Sequence, residues 1–82
     1  MTYEEAVKLA TKIICRLRNI EPSQVVEDAD LAQAFGFDSL DAAELLASIH
    51  KETGTELGIE SVEELRTVAG IARRLTTEEA KL

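Results

Sequence analysis

One serine in this chain stands where a hydroxyl can take part in chemistry. Ser39 lies in the run Phe35-Gly36-Phe37-Asp38-Ser39-Leu40-Asp41, just after a glycine-containing turn and at the head of an apolar helix. A hydroxyl at a loop-to-helix junction faces solvent rather than packing, so another protein can modify it. A plainer reading is a helix start, with Asp38 or Ser39 as N-cap, Asp41 closing a capping-box-like pair with Asp38, and Phe37 as a hydrophobic staple. The two readings are compatible. Nucleophilic catalysis by Ser39 itself lacks a base, because the only histidine, His50, lies three turns further along the same helix and cannot reach back.

The elements that must position this serine are helical. Tyr3, Ala6, Val7, Ala10, Ile13, Ile14 and Leu17 fall within a stripe about 120° wide at ~100° per residue, which predicts a first amphipathic helix from Tyr3 to Leu17. Thr2 can cap it, while Glu4, Glu5, Arg16 and Arg18 suit its two ends. Asn19 to Phe37 reads as a long connection pinned by Ile20, Val25, Val26, Leu31 and Phe35, in which Pro22-Ser23 can open a short helical turn. A second long helix is expected from Leu40 to Thr53, with Ala42, Leu45, Leu46, Ile49 and Thr53 facing the core and Gly54 as its C-terminal cap. Its outer strip of Leu40, Ala43, Glu44, Ala47, Ser48 and Lys51 is only partly polar, as a docking surface would be. A short third helix over Glu60 to Leu65 and a fourth capped by Thr67 complete the pattern, the latter through Val68, Ile71, Ala72 and Leu75. The fold expected is all-α, a small four-helix bundle with a short third helix and a long loop between helices one and two, residues 1–76 forming the domain and 77–82 a frayed tail.

With 82 residues the chain makes one domain, too small for a deep cavity built from several elements. The net charge of −7 disfavours nucleic acid and anionic membranes. Its distribution is more informative. Residues 21–64 hold twelve acids against Lys51 alone, so the negative charge is centred on Ser39 and favours basic partners there. Cys15 is the single cysteine, off the apolar stripe and without a ligand partner, which fits a reducing, cytoplasmic compartment with no disulfide and no metal site. No run is apolar enough for a membrane span. Asp28-x-Asp30 superficially opens a calcium loop, but Ala32, Gln33 and Ser39 occupy positions that need a ligand, a glycine and a glutamate.

The segment Gly36-Phe37-Asp38-Ser39-Leu40-Asp41 resembles the Asp-Ser-Leu motif of acyl carrier proteins, and the resemblance extends from Tyr3 to about Leu75. Asp30-Leu31 is similar to the family's approach to the motif, Asp41, Glu44, Leu45 and Ile49 fit its second helix, and Leu65-Arg66-Thr67-Val68 is similar to the opening of its last helix. The resemblance implies that Ser39 receives 4′-phosphopantetheine from coenzyme A through a phosphodiester, and that the distal thiol carries acyl groups as thioesters. The chain would then be a carrier and not an enzyme. Its expected partners are a phosphopantetheinyl transferase and enzymes of acyl ligase, ketosynthase, acyltransferase and reductase type. Recognition falls to Asp38, Leu40, Asp41, Ala43, Glu44, Ala47 and Lys51. The acyl chain would lie against Leu45, Leu46, Ile49, Leu57, Val62, Leu65 and Ile71, residues that equally read as plain core. A monomer is expected.

Departures from the family pattern bear on pathway. Thr53 stands where an aromatic is common, Thr55 and Gly58 replace an apolar residue and a proline, and His50-Lys51 replaces acids. These favour a specialised route, polyketide or another modified lipid, over general fatty-acid synthesis. The competing readings are a peptidyl or aryl carrier of a nonribosomal system, against which Asp38 argues, and a helical adaptor that is never modified.

Overall fold

The computed structural model describes residues 1–57 and 64–80. Four α-helices form there: α1 (Tyr3–Arg18), α2 (Leu31–Phe35), α3 (Ser39–Thr53) and α4 (Val68–Ala80). Their ends follow local chemistry. The Thr2 hydroxyl accepts from Glu5 N–H at 3.1 Å while the Glu5 carboxylate accepts from Thr2 N–H at 2.8 Å, closing a capping box on α1. Asn19 ends that helix in the left-handed region at φ 54°, a conformation asparagine tolerates better than most side chains. Gly54 ends α3 at φ 75°, donating to the His50 carbonyl at 2.8 Å.

The connection from Asn19 to Phe37 is more ordered than its sequence suggests. Pro22–Gln24 forms a 3-10 turn, and α2 follows within what reads as loop. Asp30 caps α2, its Oδ1 accepting from Ala32 N–H at 2.9 Å and Gln33 N–H at 3.1 Å. Five residues are too few to show a 3.6-residue period, so only the Asp-Leu start and Gly36 stop betray it. Leu31 is buried and Ile20, Val25 and Phe35 are half-buried, as pins of the connection should be, whereas Val26 is exposed. Polar ties hold the connection to the bundle, among them Ala69 N–H donating to the Glu27 carbonyl at 3.0 Å and the Tyr3 hydroxyl donating to the Glu27 carboxylate at 2.9 Å.

The core is shared by α1, α3 and α4, with α1 packed chiefly on α4. Ala6, Ala10, Ile13 and Ile14 meet Val68, Ile71, Ala72 and Leu75, and Leu45 and Ile49 enter from α3. Burying each large aliphatic side chain of this set contributes ~1.5–3 kcal/mol. The rotation of α3 differs from expectation. Its buried line is Asp41, Leu45 and Ile49, while Ala42, Leu46 and Thr53 are half-buried beside it. Thr53 turns its hydroxyl onto its own helix, donating to the Ile49 carbonyl at 2.8 Å and accepting from Thr55 N–H at 3.0 Å, so it serves as a helix-end bracket where an apolar side chain would pack.

Of the short helix expected over Glu60 to Leu65, most lies outside the described residues; Glu64–Arg66 is a 3-10 turn. Thr67 accepts from Gly70 N–H at 3.0 Å and so caps α4 as its sequence suggests. The helical backbone of α4 continues to Ala80, and the last two residues of the tail expected over 77–82 lie outside the described residues.

Candidate functional site at the Ser39 turn

Gly36 and Asp38 build the turn that presents Ser39. Gly36 adopts φ 72°, ends α2 by donating to the Ala32 carbonyl at 2.9 Å, and reverses the chain in a conformation that strains any residue with a Cβ. Asp38 then opens α3: its Oδ1 accepts from Asp41 N–H at 3.0 Å, and Asp41 Oδ2 accepts from Asp38 N–H at 3.2 Å. Between them Ser39 is the first helical residue, exposed, in the region where backbone N–H groups lack helical partners. The Asp41 N–H, first among its causes, holds the Asp38 carboxyl below its ordinary value of 3.8, so Asp38 is ionised at neutral pH.

A third element reaches the turn. Arg18, in the last turn of α1, donates from Nη1 to Asp41 Oδ2 at 3.3 Å and from Nη2 to the Phe35 carbonyl at 3.2 Å, with its guanidinium carbon 6.0 Å from the centre of the Phe37 ring. The sequence marks Arg18 only as a helix-end cation. That it serves Ser39's turn depends on a contact 23 residues distant, invisible to local pattern.

Ser39 borders a cleft of about 540 Å³. Leu31, Phe37, Ala42, Leu45, Leu46 and Leu65 supply apolar surface, Ala32, Asp38 and Ala43 contribute too, and the ion pair of Arg66 with Asp30 at 2.7 Å adds a polar border. Gln33 N–H foremost, and then Arg66, keep the Asp30 carboxyl below its ordinary range.

The structure sorts the residues singled out from sequence. Leu40, Ala43, Glu44, Ala47 and Lys51 are all exposed along one side of α3, with Leu40 at 67 % the most prominent large apolar side chain, and Asp38 is exposed at its head. Asp41 does not join them. At 9 % exposure it points inward, because the capping box turns its carboxylate onto the Asp38 N–H and Arg18 supplies the compensating charge. Of the residues expected around an acyl chain, Leu45, Leu46 and Leu65 line the cleft; Ile49, Leu57 and Ile71 are buried in the core and do not line it; Val62 lies outside the described residues. Leu31, Phe37 and Ala42 were missed as lining, the first two because they sit in what reads as loop. His50 is exposed in the last turn of α3, about 16 Å along the helix axis from Ser39 at 1.5 Å per residue, and supplies no base.

The described residues form a helical bundle that exposes Ser39 at a helix start beside an apolar cleft. Comparison with known proteins gives the family. A family described as "Phosphopantetheine attachment site" matches residues 8–75. The chain is 31 % identical over 71 residues to an acyl carrier protein of Thermosynechococcus vestitus, covering 87 % of this chain and 88 % of that one. It is 40 % identical over 57 residues to an acyl carrier protein of Zymomonas mobilis, covering 70 % of this chain and 73 % of that one. A solved acyl carrier protein from Enterococcus faecalis, described for its high thermal stability, superposes with a TM-score of 0.78 at 28 % identity over 95 % of this chain and 99 % of its own. The chain belongs to the acyl carrier protein family, whose cofactor is covalently attached phosphopantetheine.

Proposed function

We propose that Ser39 is the residue to which phosphopantetheine is attached, and that the carrier delivers acyl groups to successive enzymes through the exposed side of α3. The observation that carries this is the position of Ser39: an exposed hydroxyl on the first residue of α3 and on the border of the apolar cleft. The residues fit the group. The positive end of the α3 dipole favours a phosphodiester at its first residue by roughly 0.3–1 kcal/mol. The cleft offers apolar surface from Leu31, Leu45, Leu46 and Leu65 to whatever is tethered beside it. When attached, the group supplies a terminal thiol on a flexible arm, able to hold an acyl chain.

The chain's own contribution is presentation. Ser39 provides the nucleophilic oxygen, and its proton passes to a base on the transferase, since α3 holds its only histidine at the far end. Asp38 and Glu44 give the approach to Ser39 negative charge, suited to a basic transferase, and Leu40, Ala43 and Ala47 give an apolar contact strip for ligase, ketosynthase, acyltransferase or reductase partners. Among the described residues no helix is long and apolar enough to cross a membrane. The unpaired Cys15, its thiol held protonated chiefly by burial, fits work in a reducing cytoplasm. Exposed Lys51, within a strip otherwise apolar or acidic, favours a specialised pathway over general fatty-acid synthesis. Ser39→Ala tests the reading: it should keep the helical signal of the wild type yet accept nothing from coenzyme A. Equal labelling of the alanine variant would overturn it.

A further inference from the structure

We propose that Arg18 is a positioning residue for the modification of Ser39, holding the α2–α3 turn in the conformation that a phosphopantetheinyl transferase takes up. This rests on Ser39 being the attachment residue. The step it serves forms a bond between Ser39 Oγ and phosphorus as a P–O bond of the coenzyme A pyrophosphate breaks; adenosine 3′,5′-bisphosphate leaves and the hydroxyl proton goes to the transferase.

Three contacts of one side chain enclose the serine's turn. Arg18 grips the Phe35 carbonyl before Gly36, lies over the Phe37 ring, and grips Asp41 two residues beyond Ser39. Its acceptor on Asp41 is the same Oδ2 that receives the Asp38 N–H. The ion pair therefore fixes the carboxylate that closes the capping box around Ser39. A guanidinium suits this task, because its planar donors reach two acceptors at once. Residues 21–64 contain no arginine and only one lysine, and Arg66, which also borders the cleft, is paired with Asp30, so the cation on Asp41 comes from α1. Arg18 also leaves Asp41 less free to repel the phosphate that Ser39 receives. With Gly36 granting the turn its backbone freedom, the absence of Arg18 would let the segment populate other conformations. A binding site that is competent only part of the time shows weaker apparent affinity by that fraction, while the chemical step after binding is unchanged.

The test measures initial rates of phosphopantetheine transfer, with a broad-specificity transferase and coenzyme A, as the apo carrier concentration is varied well below its melting temperature. Arg18→Met keeps the aliphatic stem and loses the donors; it should raise KM for the carrier on the order of tenfold, as loss of a charged hydrogen-bond pair does, with kcat little changed. Arg18→Lys should recover part of the loss, and Arg16→Met, which breaks only the Arg16–Glu52 pair, should match the wild type. Asp41→Asn, which retains an oxygen for the Asp38 N–H, should show the same rise in KM, and the double variant should be no worse than either single one, because both remove one interaction. A lower melting temperature with wild-type KM would show Arg18 to be structural only, and additive losses would show it touching the transferase directly; either result overturns the proposal. No labelling of any form, wild type included, would overturn the assignment of Ser39 and this inference with it. Labelled wild type and equally labelled Arg18→Met would overturn this inference alone.

Discussion

Asp38 and Asp41 show how two carboxylates flanking one serine come to differ. Both take part in the same capping box, yet Asp38 stays in solvent while Asp41 turns inward to Arg18. For Asp38 this yields a pH dependence with a defined sign. Its folded-state carboxyl titrates below 3.8, so its contribution to stability is complete above that value and is lost as pH falls through the lower folded one. Asp38→Asn keeps an N-cap oxygen but has no proton to take up. Thermal melts between pH 7 and pH 2 should therefore show a shallower acid decline for Asp38→Asn than for wild type, and parallel declines would mean that Asp38 is not engaged as described. The same residues mark the limit of sequence reading. The capping box at 38 and 41 is legible because its signal spans three residues, but the burial of Asp41 is not, since the cation that permits it stands 23 residues earlier. An outward Asp41 was a fair expectation from charge alone.

At the scale of elements, α3 illustrates both success and error. Its span, its Gly54 stop and its exposed strip of Leu40, Glu44, Ala47 and Lys51 follow directly from periodicity, whereas its rotation about its own axis does not. A stripe with alanine and threonine on one flank and an aspartate on the other is ambiguous by about one residue, or ~100°. Ile49 was rightly placed inside, but Leu46 faces the cleft and is half-buried. Ile49→Ala should accordingly cost about 2–5 kcal/mol, because truncation leaves a cavity where α1, α3 and α4 meet. Leu46→Ala should cost less, and a polar residue at Ala47 should change stability by no more than about 0.5 kcal/mol. Denaturant unfolding of the three variants checks the ranking; a larger loss for Leu46→Ala than for Ile49→Ala would mean that α3 is turned the other way. The short α2 escaped periodicity altogether, and with it went Leu31 and Phe37 as cleft walls.

For the whole molecule, charge is uneven along the sequence: residues 21–64 hold twelve acids, and Lys51 alone among lysines and arginines. A synthase suited to an acidic second long helix should find Lys51 repulsive. Lys51→Glu should then improve turnover of the holo protein with a general fatty-acid synthase component while leaving stability within about 0.5 kcal/mol, as surface substitutions do. The gain should shrink as salt screens charges beyond roughly 8–10 Å. Steady-state rates at two ionic strengths check this, and equal rates at low salt would reduce Lys51 to a helix-end charge and remove the argument for a specialised pathway. The central claim, that the molecule exists to present Ser39, has a more direct test. Wild-type protein is incubated with coenzyme A, Mg²⁺ and a broad-specificity transferase, and the tryptic peptide spanning residues 19–51, which contains Ser23, Ser39 and Ser48, is fragmented in the mass spectrometer. One phosphopantetheinyl group on Ser39 is the predicted result; a group on Ser23 or Ser48, or no addition with several transferases, would contradict it.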